Sequence, residues 1–216
     1  MAPASLNVMS AGSAPTRDDA AAAVASSGAA RRSTTPDLIC VGGIPGAGKT
    51  TAIRAARRQL PELIAIDPED VYRPLRAAIG AAVPYRAWRW LVHGLHTARL
   101  LGHLVMGPSS GRVLVVHEPS TRSRRRLRFV QAARRLGWQP ALLYVDTGPE
   151  LSRTGQVERG RVLPAASFDR HCARWARLAA DLDDHPADLD RGSWSQVLLT
   201  DRAGAAAAIR RLCRGV

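Results

Sequence analysis

The segment Gly43-Ile44-Pro45-Gly46-Ala47-Gly48-Lys49-Thr50 fits the pattern G-x-x-x-x-G-K-[ST], and its flanks decide what it can be. Leu38–Gly42 (LICVG) precedes it, a short β-branched apolar run that reads as a buried strand. Residues 50–60 follow, with Ile53, Ala56 and Leu60 on one face and Arg54, Arg57 and Arg58 on the other. That is an amphipathic helix stopped by Pro61. Between a strand and a helix, the glycines let successive N–H groups turn inward and form a nest for an anion. The helix N-terminus adds its partial positive charge. The pattern predicts a cradle for the phosphates of a nucleoside triphosphate over residues 43–51, Thr51 included. Lys49 is expected on the β- and γ-phosphates as a mobile point charge, and the Thr50 hydroxyl on Mg2+.

Composition sharpens this reading. The chain has 31 Lys and Arg residues, and Lys49 is the single lysine among them. Arginine has displaced lysine everywhere else, so this position points to a job only an ammonium does. The net charge of +13 attracts phosphate-bearing partners, although an arginine-rich bias that solvates helices produces the same number. No apolar run reaches the roughly 18–20 residues of a membrane helix. Three distant cysteines, Cys40, Cys172 and Cys213, form neither a disulfide framework nor a CxxC zinc module and suit a reducing interior.

Residues 1–36 carry few large apolar side chains and read as a disordered Ala/Ser/Pro-rich tail, with the folded domain over 37–216. The start has no basic n-region or leucine-rich core and Asp18–Asp19 follow, so export is rejected and a cytoplasmic location expected. Further strands are predicted at 63–67, Val113–His117, 141–146 and Gln196–Thr200. Helices are predicted at Tyr85–Met106, 122–136, 167–182 and 205–212, and an acidic loop at 183–192. Strands alternating with helices give a parallel sheet covered on both faces, a three-layer α/β/α sandwich of five strands. Ligands of such sheets sit beyond the carboxyl ends of the strands. The polar residues there form one set: the 43–50 loop, Asp67, His117–Glu118, Asp146 and Thr200–Asp201.

The cradle, followed by Asp67, Asp70-Val-Tyr-Arg73, the strand ending in His117–Glu118 and the arginines of 153–161, resembles the P-loop kinases over residues 37–205. It is similar to the group of polynucleotide kinase, zeta toxin and chloramphenicol phosphotransferase, and to actinobacterial AAA-family ATPases. The resemblance implies strand order 2-3-1-4-5. It implies a carboxylate for Mg2+ at the end of the strand beside the cradle, and Glu118 is the choice for it, with His117 in the neighbouring place. A cap on the turn at Pro119 is the plainer role for Glu118. It also implies an acceptor base at the end of strand two, which is Asp67 by strand count or Asp70 by its spacing to Arg73. Asp67 could instead cap the helix that Pro68 opens. In the polar stretch 152–161, the resemblance implies a mobile lid, hinged at Gly155 and Gly160, whose Arg159 and Arg161, with Arg153 ranked below, close over the phosphates.

By elimination, residues 84–106 are the acceptor region. Tyr85, Arg86, Trp88, Arg89 and Trp90 combine stacking faces with charge, while helix packing is the plainer role for the aromatics. His93, His96 and His103 lack the spacing and the carboxylate of a metal triad. The arginines at 122, 124, 125, 126 and 128 form a solvated helix face or a track for phosphate backbone. The sequence therefore predicts a monomeric or dimeric kinase that moves the γ-phosphoryl of ATP to a hydroxyl on a nucleic-acid end, a nucleotide or a small molecule. The alternative is an ATPase or nucleotide-dependent sensor acting on a protein or nucleic-acid partner. An absent N/T-K-x-D signature favours ATP over GTP.

Overall fold

Alternating side chains along the strands divide the core in two. In a computed structural model of the chain, Ile39 and Val41, Val113 and Val115, and Ala141, Leu143 and Val145 point to one side of the sheet and pack with Ile53, Ala56, Phe168 and Ile209. Leu38, Cys40, Leu114, Val116, Leu142 and Tyr144 point to the other. Both faces of every central strand are therefore covered, which is why these segments read as continuous apolar runs. The structure describes residues 35–80, 82–118, 121–160, 162–184, 189–190 and 192–215, the side chains of 183 and 184 excepted. The chain divides after Arg31, and of the expected tail over 1–36, residues 1–34 lie outside the described residues.

The strands are β1 (Leu38–Gly42), β2 (Leu63–Ile66), β3 (Val113–His117), β4 (Pro140–Val145) and β5 (Gln196–Thr200). All pairings are parallel, in the order β2-β3-β1-β4-β5. The expected α/β/α sandwich and strand order are thus observed. The helices are α1 (Lys49–Arg57), α2 (Pro68–Ile79), α3 (Tyr85–Met106), α4 (Ser123–Arg135), α5 (Pro149–Val157), α6 (Ala165–Asp184) and α7 (Ala205–Arg214). α1 and α7 cover one face of the sheet through Ile53, Ala56, Ile209 and Leu212. Leu100 and Leu104 of α3, Val130 and Ala133 of α4 and Leu178 and Leu182 of α6 cover the other.

Three elements depart from expectation. α1 ends at Arg57 rather than at residue 60, because a turn follows in which Leu60 N–H bonds to the Ala56 carbonyl and returns Leu60 to the core. The polar stretch after β4 is not an open loop. Its first part is helix α5, with Pro149 in the first turn and Glu150 favouring the helix dipole. Within the arginine run of α4, Arg126 is buried and forms a paired contact with Asp190, Nε to Oδ2 at 2.6 Å and Nη2 to Oδ1 at 3.2 Å, so it belongs to no solvated face.

Candidate nucleotide and acceptor site

Parallel strands put their carboxyl ends on one edge, and the register sets Val41 beside His117 and Gly42 beside Tyr144. The loop leaving β1 therefore emerges between the ends of β3 and β4. Gly46 and Gly48 both have φ of +96°, a left-handed conformation that costs glycine nothing. Gly48 is the N-cap of α1 and supplies no side chain, so the first-turn amides of α1 keep their hydrogens for an outside acceptor. Such amides, converging with a helix dipole, fit phosphate oxygens.

Lys49 is buried and donates from Nζ to the Gly43 carbonyl at 2.7 Å and the Ile44 carbonyl at 2.9 Å. Burial lowers its pKa to about 7. The Arg159 charge pushes the same way, while Asp67 and Glu118 partly oppose it. A buried ammonium between two carbonyls and near a guanidinium has unmet demand for negative charge, which a phosphate supplies. The consequence for pH has a definite sign. Between about pH 7 and the ordinary lysine range, the unfolded chain holds a proton that the ligand-free folded chain lacks, so the Lys49 contribution to stability rises with pH across that window. Phosphate restores the proton. Nucleotide binding above pH 7 should therefore take up protons and weaken as pH rises toward 9. Calorimetry in buffers of different ionisation enthalpy reads this directly, and binding without proton uptake at pH 8 would contradict it.

α5 clamps the cradle from outside. Gln156 Nε2 donates to the Pro45 carbonyl at 3.2 Å, and Thr147 Oγ1 donates to the Ala47 carbonyl at 3.2 Å. Ser152 lies so close to Gly46 that any Cβ on Gly46 would collide with the Ser152 carbonyl. A Cβ on Gly155 would stand 2.7 Å from the Gly46 carbonyl oxygen. Gly155 is therefore a close-approach residue inside a helix, not the hinge expected of it. Gly155→Ala must push α5 from the loop. It should destabilise by about 1–3 kcal/mol, as overpacking does, and weaken ADP binding. Thermal melts and an ADP titration check both effects, and unchanged values would contradict this account of the clamp.

The carboxylates lie at the ends of β2 and β3. Asp67 is buried and divides its two oxygens between two tasks. Oδ1 accepts the Glu69 N–H at 2.8 Å as the N-cap of α2. Oδ2 lies 3.1 Å from Nδ1 of His117. The same Nδ1 is 3.3 Å from Thr50 Oγ1. His117 and hydrogen bonds from Glu69 N–H and Thr50 hold Asp67 ionised well below the usual carboxylate range, against its burial. Asp67 is thus both a cap and a neighbour of the cradle. Asp70, by contrast, lies in the first turn of α2, and Arg73 Nε is 3.5 Å from Glu69 Oε1. The expected Asp70–Arg73 pair is not formed: residues three and four back both neighbour Arg73 on the helix, and it takes the one four back.

Glu118 is buried near Lys49, but its Oε2 accepts from Arg125 Nη2 at 2.8 Å. The strand-end residue that meets Thr50 is His117. Thr50, Asp67 and His117 could hold a divalent cation only together with nucleotide phosphates and water. Among the described residues, no group of three or more His, Cys, Asp or Glu is placed to bind a metal. Of the expected lid arginines, Arg159 donates from Nε to the Gly155 carbonyl at 2.9 Å and bears on Lys49. Arg153 instead bonds to Asp169 at 2.9 Å and lies over the Phe168 ring. Arg161 lies outside the described residues.

Other strand-end residues are structural. Asp146 accepts from Trp175 Nε1 at 2.9 Å, and Asp201 accepts from the Gly204 N–H at the start of α7. Tyr85 and Trp88 are packed rather than presented. Trp88 stacks on Tyr72 of α2 at 5.3 Å and meets Tyr85 edge-on, while Trp90 stays exposed. His96, on the buried side of α3, is felt by both His117 and Asp67. Burial lowers its pKa to about 4, and its Nδ1 has no partner among the described residues. Sequence reasoning assigned no role to Thr147, Ser152 or Gln156, whose types carry no motif, nor to Arg202, whose side chain covers Gly48 from the loop after β5.

This fold and loop define the P-loop NTPase class in its kinase-like form. The chain belongs to the AAA domain family, whose profile matches residues 38–183. No curated protein sequence matches it. Its fold is similar to that of a protein of the PezAT chromosomal toxin–antitoxin system of Streptococcus pneumoniae, with a TM-score of 0.53, 18% identity and coverage of 88% of this chain and 80% of the other. A protein of Chloroflexus aurantiacus provisionally described as a kinase gives a TM-score of 0.53 at 20% identity, covering 84% and 98%. Kti12 of Chaetomium thermophilum, solved with ADP-AlF3, gives 0.51 at 17% identity, covering 82% and 95%. Among the described residues, no helix is long and apolar enough to cross a membrane.

Proposed function

We propose that this protein is an ATP-dependent phosphotransferase. It binds ATP, as its complex with a divalent cation such as Mg2+, in the 43–51 cradle. It then passes the γ-phosphoryl to a hydroxyl on a nucleic-acid end, a nucleotide or a small molecule. The observation that carries this reading is the placement of the Asp67 carboxylate. It is buried, ionised and within reach of Thr50, at the mouth of the cradle rather than out on a helix surface.

Lys49 binds and orients the β- and γ-phosphates and neutralises charge that builds on the transferring group. Arg159 brings a second positive charge to the same place. Asp67 accepts the proton of the attacking hydroxyl as the oxygen bonds to phosphorus. Thr50 is the hydroxyl that would hold the cation, which supplies further charge neutralisation when bound. A cytoplasmic location is part of this proposal, supported by the ATP substrate and by Cys40, Cys172 and Cys213, which form no disulfide.

Incubation with γ-labelled ATP and a panel of 5′-hydroxyl oligonucleotides, nucleosides and amino-sugars tests the reading. Label in an organic product is the expected result, and label only in inorganic phosphate across the panel makes the chain an ATPase. Residues 1–36 are proposed to lie outside the catalytic unit. Removing them should leave ADP affinity within about twofold, well under the tenfold that corresponds to 1.4 kcal/mol, by titration of both forms. Loss of binding would make the tail part of the site.

A further inference from the structure

The position beside the cradle that a carboxylate occupies in most NTPases of this fold is filled here by an imidazole. His117 Nδ1 is 3.3 Å from Thr50 Oγ1 and 3.1 Å from Asp67 Oδ2. Neighbouring ligands of an octahedral ion with bonds of about 2.1 Å lie about 3.0 Å apart, close to the separation of Thr50 Oγ1 and His117 Nδ1. Thr50 is held by the start of α1. When Nδ1 serves as a ligand, Asp67 Oδ2 loses that contact and stays free for the acceptor's proton, while Oδ1 keeps its cap bond to the Glu69 N–H. Glu118, the one other carboxylate at this strand end, is bonded to Arg125.

We propose that His117 Nδ1 is a direct ligand of the divalent cation that accompanies the nucleotide, and that the site therefore takes a first-row transition ion such as Mn2+ in preference to Mg2+. The inference rests on the nucleotide-binding reading of the cradle, since phosphate oxygens must complete the coordination. Mg2+ is hard, dehydrates reluctantly and prefers oxygen, whereas imidazole nitrogen suits the transition ions. To act as ligand, Nδ1 presents its lone pair and the ring proton resides on Nε2. Neutral imidazole exchanges between these two tautomers without net proton uptake.

The test uses the full chain with ADP. Mn2+ binding is followed by electron paramagnetic resonance with Mg2+ as competitor, for the wild type and for His117→Asp. The preference for Mn2+ over Mg2+ should fall by about tenfold or more in the variant, the lower end of what loss of an outer partner costs a metal site. Pulsed measurements on wild-type Mn2+·ADP complex should show hyperfine coupling to a directly bonded nitrogen, and this needs no variant. An unchanged preference in a folded variant, or a wild-type complex without nitrogen coupling, overturns the inference. If ADP still binds in the presence of EDTA, the cradle reading survives that result. If ADP does not bind with either ion or without one, both fall.

Discussion

Lys49→Ala should lower phosphoryl-transfer turnover by about 10²–10³-fold, the range seen when one preorganised donor to developing charge is removed. The reasoning is geometric. Lys49 is the only ammonium side chain in the molecule, and its Nζ is already held over the cradle by the Gly43 and Ile44 carbonyls. Neighbouring arginines cannot take its place, because a guanidinium is too broad for a slot between two carbonyl oxygens. Stability should not suffer. The substitution removes an ammonium whose pKa burial has lowered to about 7, so the ligand-free variant should melt no lower than the wild type near neutral pH. The distinctive signature is a variant as stable as the parent that has lost both turnover and proton uptake on binding nucleotide. Near wild-type turnover would remove the cradle from the mechanism.

Asp67→Asn should cost about 10²–10⁴-fold in transfer, as loss of a general base does, with nucleotide affinity nearly intact. Asparagine is chosen because it is as good an N-cap as aspartate. The bond to the Glu69 N–H survives, so the cap role and the base role separate. If Asp67 acts only as a cap, Asn preserves everything. If it accepts the proton of the acceptor, Asn preserves the melt and abolishes transfer. Transfer within a few-fold of wild type would leave Asp67 a structural residue and make the sensor or ATPase reading the stronger one.

The sequence disclosed this architecture unevenly, and the reasons are physical. The strands were legible because a strand covered on both faces must be apolar along its length, and LICVG, VLVVH and ALLYV are. The cradle was legible because only a few residue types tolerate its backbone. α5 was not, because its residues are mostly polar and its Gly155 looks like a hinge. That glycine exists for the opposite reason, a contact with the Gly46 carbonyl that leaves no room for a methyl group. The signals Pro149 and Glu150, at positions where helices begin, were present in the sequence. The choice between His117 and Glu118 turned on strand parity. Val113 and Val115 face α1, and His117 shares their parity, so it meets Thr50 while Glu118 leaves the strand toward Arg125. The two roles considered for Asp67 are not exclusive, because a carboxylate has two oxygens: Oδ1 takes the cap bond, and Oδ2 faces His117 beside the cradle. The Asp70–Arg73 spacing could not decide the pair, because Glu69 and Asp70 lie four and three residues before Arg73 and both neighbour it on the helix, and Arg73 takes Glu69.

A single-turnover experiment decides between transfer and hydrolysis: enzyme is preloaded with γ-labelled ATP, and loss of label from ATP is timed with and without a hydroxyl acceptor found in the panel. The acceptor should accelerate loss, the label should appear in the acceptor rather than in inorganic phosphate, and Asp67→Asn should abolish the acceleration while ATP remains bound. Loss at the same rate with and without acceptor, with all label recovered as inorganic phosphate, would contradict transfer.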